Sequence, residues 1–456
     1  MDTMIIQGVR CFRSRREVPL APLTLLVGEN STGKSTFLAS IRIAYDLLHA
    51  EKEPNFNEEP FNLGAYSDIA SYAGGRGGRA KCFSVGFEVA NGFSGTGGEE
   101  GRKRSADAVA NQLGLFPPLM DTSRKPIRLM ATFCQEASHP RIANVCVESG
   151  PYSIAGSEDK ATKNIQYVLT AGPRKATISA NRNWGATSPD MRLLGFLLRR
   201  EGVRPEASSD LTKEDLAGFQ NVLTRLFQAM RRRPYAIAPV RTKPERTYDP
   251  KTDTPRPEGR HIPMVLATMV SAEPEKWTDL KNALSKFGKA CGLFDSVTVR
   301  RPLGKKESDP FQIQIRVSGP AFNLIDVGYG VSQVLPILVD SLMGDKGQMF
   351  LMQQPEVHLH PRAQAQLGTF LAQLIKQDRK SFVIETHSDY LIDRVRMDVR
   401  DGIGLRHDQV AILYFQRHGT EVRIHPISLD KHGNILDAPA GYRDFFLDEE
   451  RRFLGA

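Results

Sequence analysis

A glycine-rich stretch near the start of the chain, GENSTGKST, has the residue types and the spacing of a phosphate-binding loop. Gly28, Gly33, Lys34 and Ser35 match the pattern G-x-x-x-x-G-K-[ST]. The glycines let the backbone curl so that successive N–H groups point at phosphate oxygens, and the helix that follows adds its positive N-terminal end. In this pattern the lysine reaches the β- and γ-phosphates, and the serine hydroxyl is a Mg²⁺ ligand. The residues predicted to bind the nucleotide are Asn30, Ser31, Gly33, Lys34, Ser35 and Thr36, the last at the α-phosphate.

A second glycine-rich turn lies far along the chain in DVGYGVSQVLPIL. Gly328 and Gly330 precede Ser332 and Gln333, which we predict to open an apolar helix. A glycine turn that leads into a serine-capped helix N-terminus can receive an anion. Many helices begin in this way, so the turn alone is weak evidence for an anion site. Polar residues elsewhere that could share a site with it would strengthen the prediction.

Two apolar strands are predicted to end in such polar residues. FVIETHSDY places Glu385, His387 and Ser388 after a buried run, where a histidine can contact a γ-phosphate or its attacking water. We interpret Glu385 either as an acid that positions water or as a buried acid with its own hydrogen bonds. FLMQQPEVHLHP leads into Gln353 and Gln354, where a phosphate-handling enzyme keeps one or two acids. The catalytic candidates are Gln353, Gln354, Glu385 and His387, and the metal-binding candidates are Ser35 and Gln353.

An amide at Gln353 keeps the shape of a glutamate but cannot carry its charge or accept a proton. General-base assistance contributes about 10² to 10⁴ in rate, so its loss would leave nucleotide binding largely intact and turnover nearly absent. The residue therefore predicts a hydrolysis-deficient form, either because Gln353 replaces a natural glutamate or because the natural protein hydrolyses slowly.

Hydrophobic patterning predicts the elements that must position these residues. MIIQGVRCF and LTLLVGEN are typical of strands, and KSTFLASIRIAYDLLHA has apolar residues at helical spacing, which gives strand, glycine loop and helix in order. The second half is predicted to contain a helix at 274–291, a hairpin from SVTVRR to FQIQIRV, the helix SQVLPILVDSLM, the strand QMFLMQ, the helix RAQAQLGTFLAQLIKQ and the strands SFVIETHS and VAILYF. This alternation predicts an α/β fold with a mixed, largely parallel sheet and helices on its faces.

The patterning also divides the chain. We predict that residues 1–50 form the first part of a nucleotide-binding head, that 51–180 are β-rich with an insertion, that 181–235 form a helical arm, and that 236–456 complete the head. The arm contains two amphipathic segments, and Thr212 with Asp215 resembles a capping box for the second. RTKPERTYDPKTDTPRPEGR is rich in proline and charge and predicts an extended connection.

The bulk composition limits the class of protein. The 456 residues include 61 Lys and Arg against 52 Asp and Glu, a net charge of +9, which favours either nucleic-acid contact or an ordinary solvated surface. Five cysteines lie far apart without a CxxC pair, so we expect reduced thiols in a cytoplasmic protein rather than zinc sites or disulfides. The sequence contains no signal peptide and no run of about 18 apolar residues, so we expect no membrane contact.

Three further sets of residues have alternative interpretations. His358 and His360 in HLHP suggest a metal pair, but Pro361 suits a first helical position and favours a turn between strand and helix. Arg241 is either a phosphate or nucleic-acid contact or, as we expect, a surface arginine in a proline-rich loop. The arginines at 231–233 are predicted to interact with the dipole of a helix end and could also contact a polyanion.

Several segments together resemble the ABC-type AAA ATPases of the overcoming-lysogenisation-defect group, close to the SMC-like ATPases of bacterial anti-phage systems. They are LLVGENSTGKST, DVGYGVSQVLPIL, QPEVHLHPRAQAQL, ETHSDYLIDRVR and the tail KHGNILDAPAGYRDFF, and APVRTKPERTY resembles a further segment of that group. The resemblance implies an ABC-type ATPase head with ATP and Mg²⁺ as cofactors. It also implies that the phosphate loop of one chain faces the Gly330 and Ser332 turn of another.

The same resemblance implies partners. We expect a homo-oligomer, with a dimer as its smallest form and a hexamer as one larger form. Several relatives append a Toprim nuclease, whereas this sequence ends at Ala456 without an acidic cluster for nuclease metals. We therefore expect a separate effector protein, a Toprim-type nuclease, and a phage protein as trigger. In relatives the strand end commonly reads acid, Gln, Pro, Glu, so Gln354 is ordinary and Gln353 is the departure. The alternative is an ATP-locked DNA-binding scaffold or a repair ATPase of SMC type.

Overall fold

The computed structural model describes residues 1–49, 54–72, 74–75, 78–90, 125–159, 162, 164–180, 189, 194, 210–250, 254–302, 306–439, 441–442 and 451–452. The strands in these ranges are β1 (Thr3–Gln7), β2 (Arg16–Pro19), β3 (Leu23–Gly28), β4 (Cys82–Val89), β5 (Ile127–Glu136), β6 (His139–Ser149), β7 (Tyr152–Glu158), β8 (Ile165–Ala171), β9 (Arg174–Ala180), β10 (Tyr235–Ile237), β11 (Ser296–Arg300), β12 (Gln312–Arg316), β13 (Ala321–Asn323), β14 (Met349–Gln353), β15 (Ser381–Glu385), β16 (Val410–His418), β17 (Glu421–Leu429) and β18 (Ile435–Leu436). The helices are α1 (Lys34–His49), α2 (Tyr66–Ile69), α3 (Lys213–Ala229), α4 (Ile262–Ala272), α5 (Pro274–Cys291), α6 (Tyr329–Met343), α7 (Pro361–Asp378) and α8 (Asp389–Arg400), with 3₁₀ turns at Leu324–Asp326 and His407–Gln409. None of the helices in the described ranges has the length and apolar character needed to cross a membrane.

The chain divides into two compact units. The first unit comprises Met1–Leu20, Ser31–Arg233 and Gln416–Ile424. The second unit comprises Ala21–Asn30, Pro234–Phe415 and His425–Ala456. The chain therefore passes from the second unit to the first within the phosphate loop, between Asn30 and Ser31.

The first unit contains an eight-stranded sheet in the order β2-β1-β4-β5-β6-β7-β8-β9. Every neighbouring pair in it is antiparallel. Buried residues alternate with less buried ones along β5, because one face of an antiparallel sheet packs on a core while the other can face water. On the core face, the rings of Phe83 and Phe133 stack with their centroids 5.1 Å apart.

Cys82 in β4 and Cys134 in β5 lie opposite one another and form a disulfide. The expectation that all five cysteines are reduced thiols is therefore wrong for this pair. The two residues are 52 apart in sequence, so strand register brings them together and no local spacing rule could show it. Cys11, Cys146 and Cys291 are free thiols.

The second segment of the predicted helical arm forms α3. Thr212 Oγ1 accepts the Asp215 N–H at 3.2 Å, and Asp215 Oδ2 accepts the Thr212 N–H at 2.9 Å, which is the predicted capping box. Arg174 in β9 donates two further hydrogen bonds to the Asp215 carboxylate, at 2.8 and 2.7 Å. The first segment, SPDMRLLGFLLRREG, lies outside the described residues apart from Pro189 and Leu194.

The second unit contains a seven-stranded sheet in the order β10-β14-β15-β3-β16-β17-β18. Neighbours from β10 to β16 are parallel, and β17 with β18 is antiparallel. A separate antiparallel sheet, β11-β12-β13, contains the predicted hairpin. The predicted α/β fold with a mixed, largely parallel sheet is confirmed.

The core of the second unit joins this sheet to its helices. Phe350 of β14 stacks on Phe382 of β15 with ring centroids 5.2 Å apart, and α6 adds Val334 and Leu338 to the same cluster. Continuous apolar runs such as Phe350–Met352 are typical of parallel strands that are covered on both faces. Buried runs of this kind leave the carboxyl ends of the strands as the place where polar side chains appear.

Candidate nucleotide site

Three parallel strands of the second unit end at one edge of the sheet. Gln353, the last residue of β14, pairs with Glu385, the last residue of β15. Glu385 in turn pairs with Leu26 of β3, two residues before Gly28. The strand that leads into the phosphate loop therefore ends beside the two predicted polar strand ends, which is the position where ligands bind open α/β sheets.

The phosphate loop has the backbone that its glycines predict. Gly28 has φ +136, and a Cβ there would lie 2.4 Å from the Phe415 carbonyl oxygen. Gly33 has φ +87, and its Cβ would lie 2.5 Å from Cys11 Sγ. Between them Ser31 also has a positive φ, 60°. Both glycines are therefore sterically required, and the curled backbone fits a phosphate cradle.

Lys34 and Ser35 open α1, whose 16 residues follow the loop. Lys34 is only 3% exposed. Thr36, in the same first turn, accepts a hydrogen bond from Arg10 Nη1 at 3.2 Å. Burial lowers the pKa of Arg10 and raises the pKa of the Cys11 thiol to about 11, so near neutral pH Cys11 stays protonated. Sequence reasoning missed Arg10 because nothing in QGVRCF links it to a residue 26 positions away.

Gln353 is half-buried at the end of β14. Its Oε1 atom is buried and accepts no hydrogen bond from any described residue. An amide oxygen and a serine hydroxyl are both oxygen ligands of the kind Mg²⁺ accepts, but neither carries charge. Each of the two predicted metal ligands, Ser35 in the first unit and Gln353 in the second, is neutral, so the negative charge that Mg²⁺ favours would come from nucleotide phosphates.

Gln354 adopts a left-handed backbone with φ 44, which is uncommon for a residue other than glycine. Its N–H donates to the Glu385 carbonyl at 2.8 Å, and its own carbonyl accepts Arg241 Nη2 at 3.1 Å. Backbone hydrogen bonds on both sides thus hold this residue in a conformation that costs free energy.

Arg241 is not the surface arginine that its proline-rich surroundings predict. It is 2% exposed, and its Nε and Nη1 atoms have no hydrogen-bond acceptor among the described residues. Burial lowers the pKa of the Arg241 guanidinium to about 10, against the charges of Glu356 and Tyr329. The group therefore remains protonated at neutral pH. The expectation failed because packing around a distant turn, and not local composition, buries this side chain.

Glu356 lies in the turn after β14, and the sequence patterns did not predict a role for it. It is 6% exposed, and its Oε1 atom accepts the His387 N–H at 2.7 Å. Burial raises the pKa of the Glu356 carboxyl, while hydrogen bonds from His387 and Thr386 and the charge of Arg241 oppose the rise. Its place in QPEVHLHP, three residues after Gln353, was the signal available in the sequence.

The loop after β15 carries the remaining strand-end candidates. Glu385 is 7% exposed, whereas the side chain of His387 is exposed at the same edge. Ser388 caps α8, because its Oγ atom accepts the Leu391 N–H at 3.1 Å. The structure thus brings Gln353, Gln354, Glu385 and His387 together in the second unit.

The second glycine turn differs from its prediction. The helix α6 begins at Tyr329, with Gly328 as N-cap and no side-chain cap, so Ser332 is not the capping residue. Ser332 Oγ donates instead to the Tyr329 carbonyl at 2.8 Å. A Cβ on Gly330 would lie 2.8 Å from the His358 carbonyl oxygen, so this turn packs closely on the segment after β14. Gln333 is 1% exposed.

The two histidines of HLHP have separate local contacts. His360 caps α7 by accepting the Arg362 N–H at 3.3 Å, and Pro361 is the first helical residue, as predicted. The ring of His358 packs on Tyr329 with centroids 4.8 Å apart. Within the described ranges no group of three or more His, Cys, Asp or Glu residues is arranged to hold a metal ion.

Residues 270–392 match the sequence profile of the AAA ATPase domain family. The matched segment includes α6, β14, α7 and β15, and with them Gly330, Gln353, Glu385 and His387; it begins after the phosphate loop. The match supports an ATPase of AAA type. Among curated proteins, none matches this chain.

Among solved structures the chain is similar to SMC heads. Against the SMC head bound to the C-winged helix domain of ScpA it has 12% identity and a TM-score of 0.45, over 94% of this chain and 98% of that chain. With the Smc head with an extended coiled coil bound to the C-terminal domain of ScpA from Pyrococcus furiosus, it shares 10% identity and a TM-score of 0.42, over 99% of both chains. With the SMC head domain from Thermotoga maritima, it shares 10% identity and a TM-score of 0.37, over 93% of this chain and 98% of that chain.

Proposed function

We propose that this chain is an ABC-type ATPase head that binds ATP with Mg²⁺ at GENSTGKST and assembles as a dimer or larger homo-oligomer. The observation that supports it best is the loop backbone, in which Gly28 and Gly33 have positive φ and leave no room for a Cβ. Such a curl after a parallel strand and before a helix receives nucleotide phosphates. The AAA ATPase match over residues 270–392 supports the same class.

The residues have distinct roles in this proposal. Lys34 binds the β- and γ-phosphates, Ser35 holds Mg²⁺, and Thr36 contacts the α-phosphate. His387, exposed beyond β15, contacts the γ-phosphate or its attacking water. The N-terminus of α6 in a second chain, which contains Gly328, Gly330 and Ser332, contacts the same nucleotide. Bound Mg²⁺ would neutralise charge on the β- and γ-phosphates.

Gln353 makes hydrolysis slow in this proposal. The strand end where an acid would polarise water carries a neutral amide, whose oxygen accepts no hydrogen bond among the described residues. ATP would therefore bind and hold the assembly closed for longer than in a chain with a carboxylate at this position. The protein with Gln353 would act as an ATP-locked form.

The assembly controls a separate effector in this proposal, a Toprim-type nuclease that a phage protein releases. This part rests on the resemblance to ATPases of anti-phage systems, and the layout resembles the ATPase AriA of the PARIS system, which holds a separate effector. A second candidate is an ATP-locked DNA-binding scaffold or repair ATPase, which the net charge of +9 favours.

Two measurements test the proposal. First, a fluorescent ATP analogue with Mg²⁺ should bind the protein, and Lys34→Ala should weaken binding by about 10-fold or more, because a charge-assisted phosphate contact is lost. Lys81→Ala, at an exposed lysine outside the loop, is the matched control and should bind as the parent does. Equal binding by Lys34→Ala would rule out the loop as the site.

Second, a pull-down from the native host with ATP present should recover the partner, to be identified by mass spectrometry together with the mass of the complex. A nuclease in the eluate supports effector control. DNA without a nuclease supports the scaffold and contradicts effector control.

A further inference from the structure

Glu356 is a buried carboxylate that the proposed reaction leaves without a task. It lies in the turn after β14 and is 6% exposed. Its Oε1 atom accepts the backbone N–H of His387 at 2.7 Å. This side chain thus holds the backbone of the loop after β15 at His387 itself.

Arg241 is the cation that accompanies this carboxylate. The guanidinium is 2% exposed and attracts Glu356 electrostatically. Its Nη2 atom donates to the Gln354 carbonyl at 3.1 Å, so it also holds the turn that contains Glu356. A buried charge is tolerated when an opposite charge lies near it, so each of the two groups depends on the other.

The pair is not arranged for stability alone. Glu356 Oε2 has no donor, and Arg241 Nε and Nη1 have no acceptor, among the described residues. Buried polar atoms are almost always hydrogen-bonded in native proteins, so each exception needs an explanation, of which a role in a functional site is one. Gln354, which accepts the Arg241 hydrogen bond and lies in the same turn as Glu356, has a left-handed backbone. This conformation adds strain to the turn.

We propose that Glu356 is a positioning residue for His387. Its carboxylate fixes the backbone of His387, so that the His387 side chain is held at the sheet edge where β14 ends with Gln353. Arg241 keeps the carboxylate and the turn in place. This proposal rests on the proposed function for the task of His387 in ATP hydrolysis, but the position of His387 can be measured without nucleotide.

Histidine side-chain NMR of the nucleotide-free chain is the first test. The His387 signal is assigned as the one lost in His387→Gln. We expect Glu356→Ala and Arg241→Met to move this signal, and Glu356→Gln, whose amide oxygen can still accept the His387 N–H, to restore it toward the parent position. The matched control is the exposed pair Arg246 and Asp326, joined at 2.6 and 2.9 Å; Arg246→Met and Asp326→Asn should leave the signal unmoved.

Turnover of ATP is the second test, made in the Gln353→Glu protein. We expect Glu356→Ala to lower kcat by about 10-fold or more with KM changed by less than about threefold, because misplacing a reacting group affects the chemical step more than binding. A His387 signal unmoved by Glu356→Ala, or an equal loss in Glu356→Gln and Glu356→Ala with unchanged thermal stability, would overturn the positioning role. Failure of the parent to bind ATP would contradict the proposed function, while the NMR comparison would still decide the role of Glu356.

Discussion

At the scale of single residues, Gln353 is the position to which the proposed function assigns slow hydrolysis without loss of nucleotide binding. It is the last residue of β14, beside Glu385 at the end of β15. Gln354 has a different local setting, since its backbone is left-handed and both its N–H and its carbonyl are hydrogen-bonded. A carboxylate at position 353 would therefore lie at the end of the strand, whereas one at position 354 would lie in the turn after it.

Gln353→Glu is expected to raise ATP turnover by about 10-fold or more, because general-base assistance contributes about 10² to 10⁴ in rate. The measurement is the steady-state release of phosphate from ATP at saturating Mg²⁺. Gln354→Glu is the matched control and should give a much smaller increase. Turnover of Gln353→Glu equal to that of the parent would show that this residue does not cause slow hydrolysis.

At the scale of elements, α3 depends on the carboxylate of Asp215. Hydrogen bonds from Arg174 and from Thr212 hold the pKa of Asp215 at about 2, below its ordinary value of 3.8. Because the folded-state pKa is depressed, this stabilisation is present above about pH 4 and is lost as the pH falls through about 2. We expect Asp215→Asn to lower the Tm clearly at pH 6 and by progressively less between pH 4 and pH 3, measured by circular dichroism. A Tm difference that does not change with pH would contradict this account.

A buried polar network in the second unit ties α6 to its neighbours. Asp340 in α6 accepts hydrogen bonds from Tyr235 Oη at 3.1 Å and from His261 Nε2 at 3.0 Å. The Arg256 N–H donates to His261 Nδ1 at 3.1 Å, so the ring proton lies on Nε2 and points at Asp340. Burial raises the pKa of Asp340, and the bonds from His261 and Tyr235 oppose it.

Asp340→Ala is expected to destabilise the protein by about 3 kcal/mol, because it leaves one buried and one half-buried donor unpaired. Tyr235→Phe removes one donor and should cost about 1 kcal/mol. Urea unfolding measures both changes. The exposed Asp393, paired with Arg396, gives the control, and Asp393→Ala should change the free energy of unfolding by less than about 1 kcal/mol. An effect of Asp340→Ala no larger than that of Asp393→Ala would show that the network adds no stability.

Local pattern explains which elements were predictable. The loop, the strand ends and the capping box of α3 depend on residues a few positions apart, and the structure has them where the sequence predicts. The N-terminus of α6 was misplaced because Gly328 caps it without a side-chain hydrogen bond, which leaves no polar signature. The hydrogen bond from Arg241 to Gln354 joins residues 113 positions apart, and the one from His387 to Glu356 joins residues 31 positions apart. Only the folded chain brings these residues into contact.

At the scale of the whole molecule, the proposed assembly places the Gly328 turn of one chain against the nucleotide that a second chain binds. In the single chain this position is open, since a Cβ on Gly328 would meet no atom within 4 Å. Its backbone, with φ −53 and ψ 138, is accessible to any residue. A carboxylate at the N-terminus of α6 also suits the helix dipole. Gly328→Glu should therefore fold normally.

Gly328→Glu is expected to abolish or weaken ATP-dependent dimerisation by about 10-fold or more, because its charge would face the phosphates held by the partner. Binding of ATP to a single chain should remain as in the parent, because the phosphate loop is unaltered. Analytical ultracentrifugation with ATP and Mg²⁺ measures the dimer, and Gly319→Glu is the matched control, since a Cβ there would have its nearest atom at 3.8 Å. If both variants dimerise as the parent does, ATP is not bound against this turn, and the sandwich arrangement would have to be replaced by an assembly through another surface.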